Sequence, residues 1–418
     1  MNKILILGGG FGGVRAALDL EKKFKWGKDV EISIIDKNES QTFSPALYEV
    51  ASVYGIDHQH PYHTKIRGMV SIPYDKIFKN KKIKFVQAEI RHIDLAARHA
   101  VTSSGLVVGF DYLIIAMGST VSTFGIPGAD EYALKFKTIE DALMVSDKIQ
   151  ELYTQVAQSK RSLPVRILIG GAGFNGVELA AELSNCTGHV AHRQGIVQKT
   201  CSSITLFESG QKILPHILDK GRKIIEERLK KLGVTILNNS LIEEVGPDYV
   251  RTKKGDRIEG DIIIWSGGVK AIDLFKSIVG LKVDERGHIL VNDFLQVEGY
   301  KNIFGVGDNI VFVDPKTSKP TPQMAFLAIE QGRVAAENIT ILMSGVHLLK
   351  KYKPAYNVWI APVGGKYAVT YMGGLTFYGF IGYILRELAD LRYFLSVLPL
   401  VQATRLFFAE IRAFSRND

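Results

Sequence analysis

Ile4-Leu5-Ile6-Leu7-Gly8-Gly9-Gly10-Phe11-Gly12-Gly13 is the stretch on which the fold reading turns. An aliphatic, partly β-branched run leads into a G-x-G-x-x-G pattern. From Val14 onward the apolar residues recur with helical spacing, and Val30 to Ile35 follows as a second strand. Strand, glycine turn, helix and strand make a βαβ unit of the dinucleotide-binding kind. In that unit Gly8 serves the tight turn, Gly10 and the neighbouring Phe11-Gly12 backbone lie where a pyrophosphate approaches, and Gly13 allows close helix packing. The helix N-terminus supplies N–H donors and the positive end of its dipole. An acid is required at the end of the next strand to accept from a ribose hydroxyl. Asp36 stands there, with Lys37 beside it.

The pattern occurs twice. Val165 to Ile169 reads as a strand, Gly171-Ala172-Gly173-Phe174-Asn175-Gly176 repeats the glycine turn, and Ser203 to Phe207 reads as the next strand, ending at Glu208. A carboxylate there holds a ribose diol and opposes a 2′-phosphate, which favours NADH over NADPH, with Lys212 close enough to soften the preference. Further buried strands are expected at Tyr112 to Ala116, Ile262 to Trp265 and Asn302 to Val306. Pro164, after a polar stretch, reads as the entry to a second domain.

The 418 residues suffice for two or three domains, and 46% hydrophobic with 23% charged residues describes a folded chain. The net charge of +9 suits an anionic partner, but no Lys/Arg run interleaved with aromatics marks a nucleic-acid face. Cys186 and Cys201 are too few for a disulfide framework, which fits a reducing compartment and leaves a single bridge open. The ten His lack metal-ligand spacing, so no metal is assigned. The chain enters a strand directly after Lys3, without the layout of a signal peptide, so an internal location is expected.

With a third glycine-and-acid turn at Gly305-Val306-Gly307-Asp308-Asn309, the whole chain resembles the glutathione-reductase-like FAD/NAD(P) oxidoreductases. Four stretches resemble the type II NADH dehydrogenases, single-subunit NADH:quinone oxidoreductases. They are Phe43 to Ala51, Tyr112 to Ser119, Gly173 to Glu182, and Ile264 to Val269. The resemblance implies an α/β fold of two Rossmann-type domains and FAD as a second cofactor beside NADH. It implies that Ala116, Gly118, Asp308 and Ala325 lie on the FAD side, and Gly267 on the NADH side. Glu178 resembles the family glutamate that approaches the nicotinamide. In the family's quinone-side motif two glutamines precede a Gln-Gly pair, whereas here Ala325-Phe326-Leu327-Ala328-Ile329-Glu330 precedes Gln331-Gly332. Phe326, Ile329 and Gln331 are the quinone-side candidates, with Glu330 as a proton relay.

The resemblance implies a non-proton-pumping transfer from NADH through FAD to a membrane quinone. The alternatives are a soluble flavin reductase with a protein acceptor, a sulfide:quinone oxidoreductase, and a nucleotide-sensing protein. Disulfide and sulfide chemistry need thiolates near the flavin; the Phe43-Ser44 region has none, and no cysteine follows Cys201.

The expected domains are 1–118 with 292–345 for FAD, 119–291 for NADH, and a separate C-terminal segment, 346–418. Within that segment Val358 to Tyr371 is β-rich, and everything from Leu375 reads as helical. Phe377, Ile381, Ile384, Leu388, Leu391 and Leu395 form one apolar face, with Arg386, Glu387 and Asp390 elsewhere. After Pro399 a second helix sets Thr404, Phe407, Phe408, Ile411 and Phe414 against Gln402, Arg405, Arg412 and Arg416. No charge-free stretch is long enough to span a bilayer. Two helices lying on the cytoplasmic face of the cell membrane are expected, with burial in a core or a homodimer as the alternative.

Overall fold

The computed structural model describes residues 1–25, 29–52, 61–193, 195–196, 201–346, 348–356 and 358–414. The helices that carry the site are, in chain order, α1 (Phe11–Phe24), α2 (Leu47–Ser52), α3 (Phe174–Arg193), α4 (Ala325–Met343), α5 (Phe380–Val397) and α6 (Leu400–Phe414). The chain divides into two units. One comprises 1–42, 71–120 and 270–355, the other 43–70, 121–269 and 356–418.

The first unit is built on five parallel strands, in the spatial order Ile303–Gly305, Tyr112–Ile115, Asn2–Leu7, Val30–Asp36 and Ile83–Gln87. The second repeats that plan with Leu134–Lys135, Ile262–Trp265, Val165–Gly170, Ser202–Phe207 and Val234–Leu237. In each unit the central strands are aliphatic on both faces and buried, as a sheet covered on both sides requires. α1 crosses α4 where two glycines meet: a Cβ on Gly332 would lie 2.3 Å from the Gly12 carbonyl oxygen.

Three expected bounds differ. Residues 43–70 join the second unit, because α2 packs on α3 and on the Ile139–Ala157 helix. Residues 270–291 join the first unit. The C-terminal segment is no separate element beyond Ala355. Phe43 stacks on Tyr393 at 5.5 Å and meets Phe394 at 4.9 Å between ring centroids, which fastens α5 to the second unit.

Leu375–Gly379 is a strand, not the start of a helix. Gly373 and Gly374 both adopt positive φ, 58° and 92°, and close a two-residue hairpin that pairs Met372 with Leu375. Phe377 therefore lies on a three-stranded antiparallel sheet, and the helix begins at Phe380.

Candidate functional site

The two glycine turns are built alike at their matching glycines. Gly8 and Gly171 have φ of +101° and +103°, a region open to glycine. The Gly8 N–H donates to the Ile35 carbonyl at 2.8 Å, and the Gly171 N–H to the Phe207 carbonyl at 3.0 Å. A Cβ on Gly13 would sit 2.0 Å from the Gly8 oxygen, and one on Gly176 would sit 1.9 Å from the Gly171 oxygen. These four positions are closed by packing. Gly10 and Gly173 are the reverse: a Cβ on either would meet no protein atom within 4 Å. The open space lies over a helix N-terminus, where a pyrophosphate is held by backbone N–H groups.

The acids stand where that geometry needs them. Asp36 accepts from the Gly9 N–H at 2.6 Å and the Asn38 N–H at 2.8 Å, so its carboxylate is fixed at the end of its strand. Glu208 accepts from the Gly210 N–H at 2.6 Å. Lys212, close in sequence, instead pairs with Asp219 at 3.2 Å. Both turns thus fit a bound dinucleotide, with room at the second glycine and an anchored carboxylate for a ribose.

The third turn is tied to the first unit's sheet by a residue that its motif did not single out. Asn309, fully buried, donates to the Ile115 carbonyl at 3.0 Å and accepts from the Gly118 N–H at 3.0 Å. Asp308 accepts from the Ser119 hydroxyl at 3.1 Å, so Ala116, Gly118 and Asp308 come together. Gln331 is buried, and its side-chain oxygen accepts from the Gly307 N–H at 2.7 Å, bracing the same turn from α4. Ala325, Phe326 and Ile329 are partly buried on α4, while Glu330 is ion-paired with Arg333 at 2.7 Å. Tyr74 was also missed. Its hydroxyl donates to the Gly9 carbonyl at 2.9 Å and occupies the space a side chain at residue 9 would take. Only the absence of a side chain at Gly9 could have hinted at it.

In the second unit Gly171 packs against Gly267, whose Cα would lie 2.3 Å from a Cβ on Gly171. Phe174, Asn175 and Glu178 follow on the first turns of α3. Glu178 is partly buried; loss of water pushes its carboxyl well above the usual range, Arg386 opposes the rise, and Asp390 and Glu49 add to it. Cys186 and Cys201 are both buried and are not joined by a disulfide, so the single bridge left open by the sequence is not formed.

The tail reverses the usual amphipathic arrangement. On α5 the buried positions are Gly382, Arg386, Asp390, Phe394 and Val397. Ile381, Ile384, Leu388 and Leu395 face outward, Leu388 with 52% of its surface exposed. Leu391 is only partly exposed. On α6 the expected split fails: Phe407 and Phe414 are buried, whereas Phe408 is exposed together with Val401, Arg405 and Arg412. Residues 401, 405, 408 and 412 are spaced four, three and four apart, which puts aromatic and arginine on one outward face. Arg416 lies outside the described residues. Among the described residues no helix is long and apolar enough to cross a membrane.

Residues 2–332 match the pyridine nucleotide-disulphide oxidoreductase family. The chain is 30% identical over 357 residues to the type II NADH:quinone oxidoreductase of Staphylococcus aureus strain NCTC 8325, covering 82% of this chain and 83% of that protein. It is 27% identical over 380 residues to the protein of that name from Haemophilus influenzae, covering 84% and 83%. Among solved structures it is similar to NDH2 from Plasmodium falciparum in complex with NADH, with a TM-score of 0.82 at 17% identity over 99% of both chains. It is also similar to the sulfide:quinone oxidoreductase of Aquifex aeolicus, with a TM-score of 0.77 at 22% identity over 94% and 91%. At such identities the structural likeness speaks for the fold alone. By family match and by kinship with the staphylococcal protein, the chain belongs to the pyridine nucleotide-disulphide oxidoreductase family and, within it, to the type II NADH:quinone oxidoreductases.

Proposed function

We propose that this protein oxidises NADH through a bound FAD and passes the electrons to a quinone, without pumping protons. The observation that carries the reading is the doubled glycine turn, each copy with open space at its second glycine and a fixed carboxylate at the end of the following strand. The first copy, with Asp36 and Lys37, would hold the adenosine end of FAD, and Asp308 would face its ribityl side. The second, with Glu208, would hold NADH. When bound, the two cofactors supply the hydride and electron chemistry themselves. The side chains bind and orient: Glu178, at the start of α3, positions the nicotinamide, and the buried Asn309 and Gln331 keep the third turn rigid.

On the acceptor side Phe326 and Ile329 remain the candidates for apolar quinone contact. A relay through Glu330 has less support, because its carboxylate is already paired with Arg333. The outward faces of α5 and α6 support a peripheral membrane location, which we place on the cytoplasmic side. Quinones partition into lipid, and apolar side chains interleaved with Arg405 and Arg412 suit an anionic surface. The test is turnover of the purified protein with NADH against a panel of quinones, soluble dyes and electron-transfer proteins. Quinone reduction is expected; reduction of a protein acceptor alone would refute the quinone assignment.

A further inference from the structure

Beneath the outward apolar face of α5 lies a buried cluster of charge. Arg386 pairs with Glu49 through Nη2 and with Glu387 through Nη1, both at 2.5 Å, and its Nε lies 3.2 Å from Asp390. Glu410, from α6, lines the same small cavity as Glu49, Arg386, Glu387 and Glu182, about 20 Å³ in volume. That is room for one water. Glu410 is 4% exposed, and its Oε1 has no hydrogen-bond partner among the described residues. Among the described residues the titratable groups around this site all belong to the second unit: Tyr48 and Glu49 from α2, Glu178 and Glu182 from α3, Tyr383, Arg386, Glu387 and Asp390 from α5, and Glu410 from α6.

One guanidinium cannot balance that many carboxylates away from water. A buried carboxyl without a partner is stable only when it holds its proton. The geometry points to Glu49, Asp390 and Glu410 around Arg386 as a buried proton store that supplies the proton consumed when a quinone is reduced. This inference rests on the quinone reading above. The overall balance is NADH plus one proton plus quinone giving NAD⁺ plus quinol: two electrons and one proton arrive with the hydride, and the second proton comes from the medium. The store lends that proton and regains it from water. Its position suits the task, since only the thickness of α5 separates it from the apolar face, and an α-helix is about 10 Å across. The proton affinity suits it as well. Burial raises Glu49 to about 7 against the pull of Arg386, and burial likewise raises Asp390 and Glu410.

The experiment compares two acceptors on the purified flavin-loaded enzyme, a short-chain quinone, which takes up protons on reduction, and ferricyanide, which takes electrons alone. Glu410→Gln keeps the shape of the neutral acid, and Asp390→Asn is the second variant. Each is expected to lower kcat with the quinone about tenfold at pH 8, to shift the alkaline limb of that profile to lower pH, and to leave the ferricyanide rate unchanged. Glu410→Asp, which retains a proton-holding group, is expected to recover part of the quinone rate. Equal losses with both acceptors would mean a merely structural role and overturn the inference, as would variants with an unaltered quinone pH profile. A wild-type enzyme that reduces ferricyanide but no quinone would instead refute the functional reading, and this inference with it.

Discussion

Arg386 on α5 and Glu49 on α2, 337 positions apart in the chain, form a buried ion pair at 2.5 Å that joins the C-terminal helices to the second unit. Glu49 is held at about 7, above the carboxylate value of 4.5, chiefly because burial disfavours its charge. The folded protein therefore holds this proton more tightly than the unfolded chain. Its contribution to stability is fully present below about pH 4.5 and is lost as pH rises through about 7. A loss on the order of 3 kcal/mol is expected across that window. Urea unfolding between pH 5 and 8 measures it, and Glu49→Gln should flatten the slope. A wild-type stability that climbs over that range would count against the assigned direction.

Gly10→Ala and Gly173→Ala separate binding from folding. A methyl group at either position meets no protein atom within 4 Å, so stability should fall by no more than about 1 kcal/mol, a helix-cap effect. Each would project into the space reserved for a pyrophosphate. Gly10→Ala should purify depleted of flavin, and Gly173→Ala should retain flavin but raise the KM for NADH at least tenfold. Gly13→Ala, with its clash against the Gly8 oxygen, should fail to fold normally. Full flavin occupancy in Gly10→Ala would remove the first turn from its assigned role.

We propose that Glu208 sets the choice between NADH and NADPH. Because Lys212 is drawn to Asp219, the carboxylate faces an incoming 2′-phosphate without that lysine to offset it. Glu208→Gln should narrow the ratio of kcat/KM for NADH over NADPH about tenfold, mainly by improving NADPH. An unchanged ratio would place the discrimination elsewhere.

Much of this architecture is legible in the sequence because its constraints are local. A glycine turn needs glycines at fixed spacing, and a strand followed by an acid at Asp36 or Glu208 is read over a few residues. Helical periodicity works differently: it tells which residues share a face but not which face turns inward. On α5 it correctly grouped Ile381, Ile384 and Leu388 apart from Arg386 and Asp390, yet only the partners Glu49 and Phe43, hundreds of positions upstream, reveal that the charged side is the buried one. The hairpin at Gly373-Gly374 was hidden by the aliphatic and aromatic residues after it, which suit a strand as well as a helix. The tethers from Tyr74 and Asn309 span 65 and 194 positions. No spacing rule reaches so far.

The outward face of the tail makes its own prediction. Ile384→Glu with Leu388→Glu should release the protein from vesicles containing anionic lipid and slow reduction of a long-chain quinone more than that of a water-soluble one. Arg405→Gln with Arg412→Gln should weaken vesicle binding and flatten its salt dependence, since exposed charges are screened over about 8 Å at physiological ionic strength. Vesicle cosedimentation reads both. If neither pair of changes alters binding, or if the intact protein never binds vesicles, the membrane assignment is wrong.

Electrons should pass from NADH through a bound flavin to a quinone, and anaerobic stopped-flow spectroscopy follows both halves of that transfer in one sample. NADH is expected to bleach the visible absorbance of the bound flavin faster than NADPH does, and a quinone mixed in afterwards is expected to restore it within the turnover time. A flavin that NADH bleaches but no quinone restores, or that NADH does not bleach at all, would contradict it.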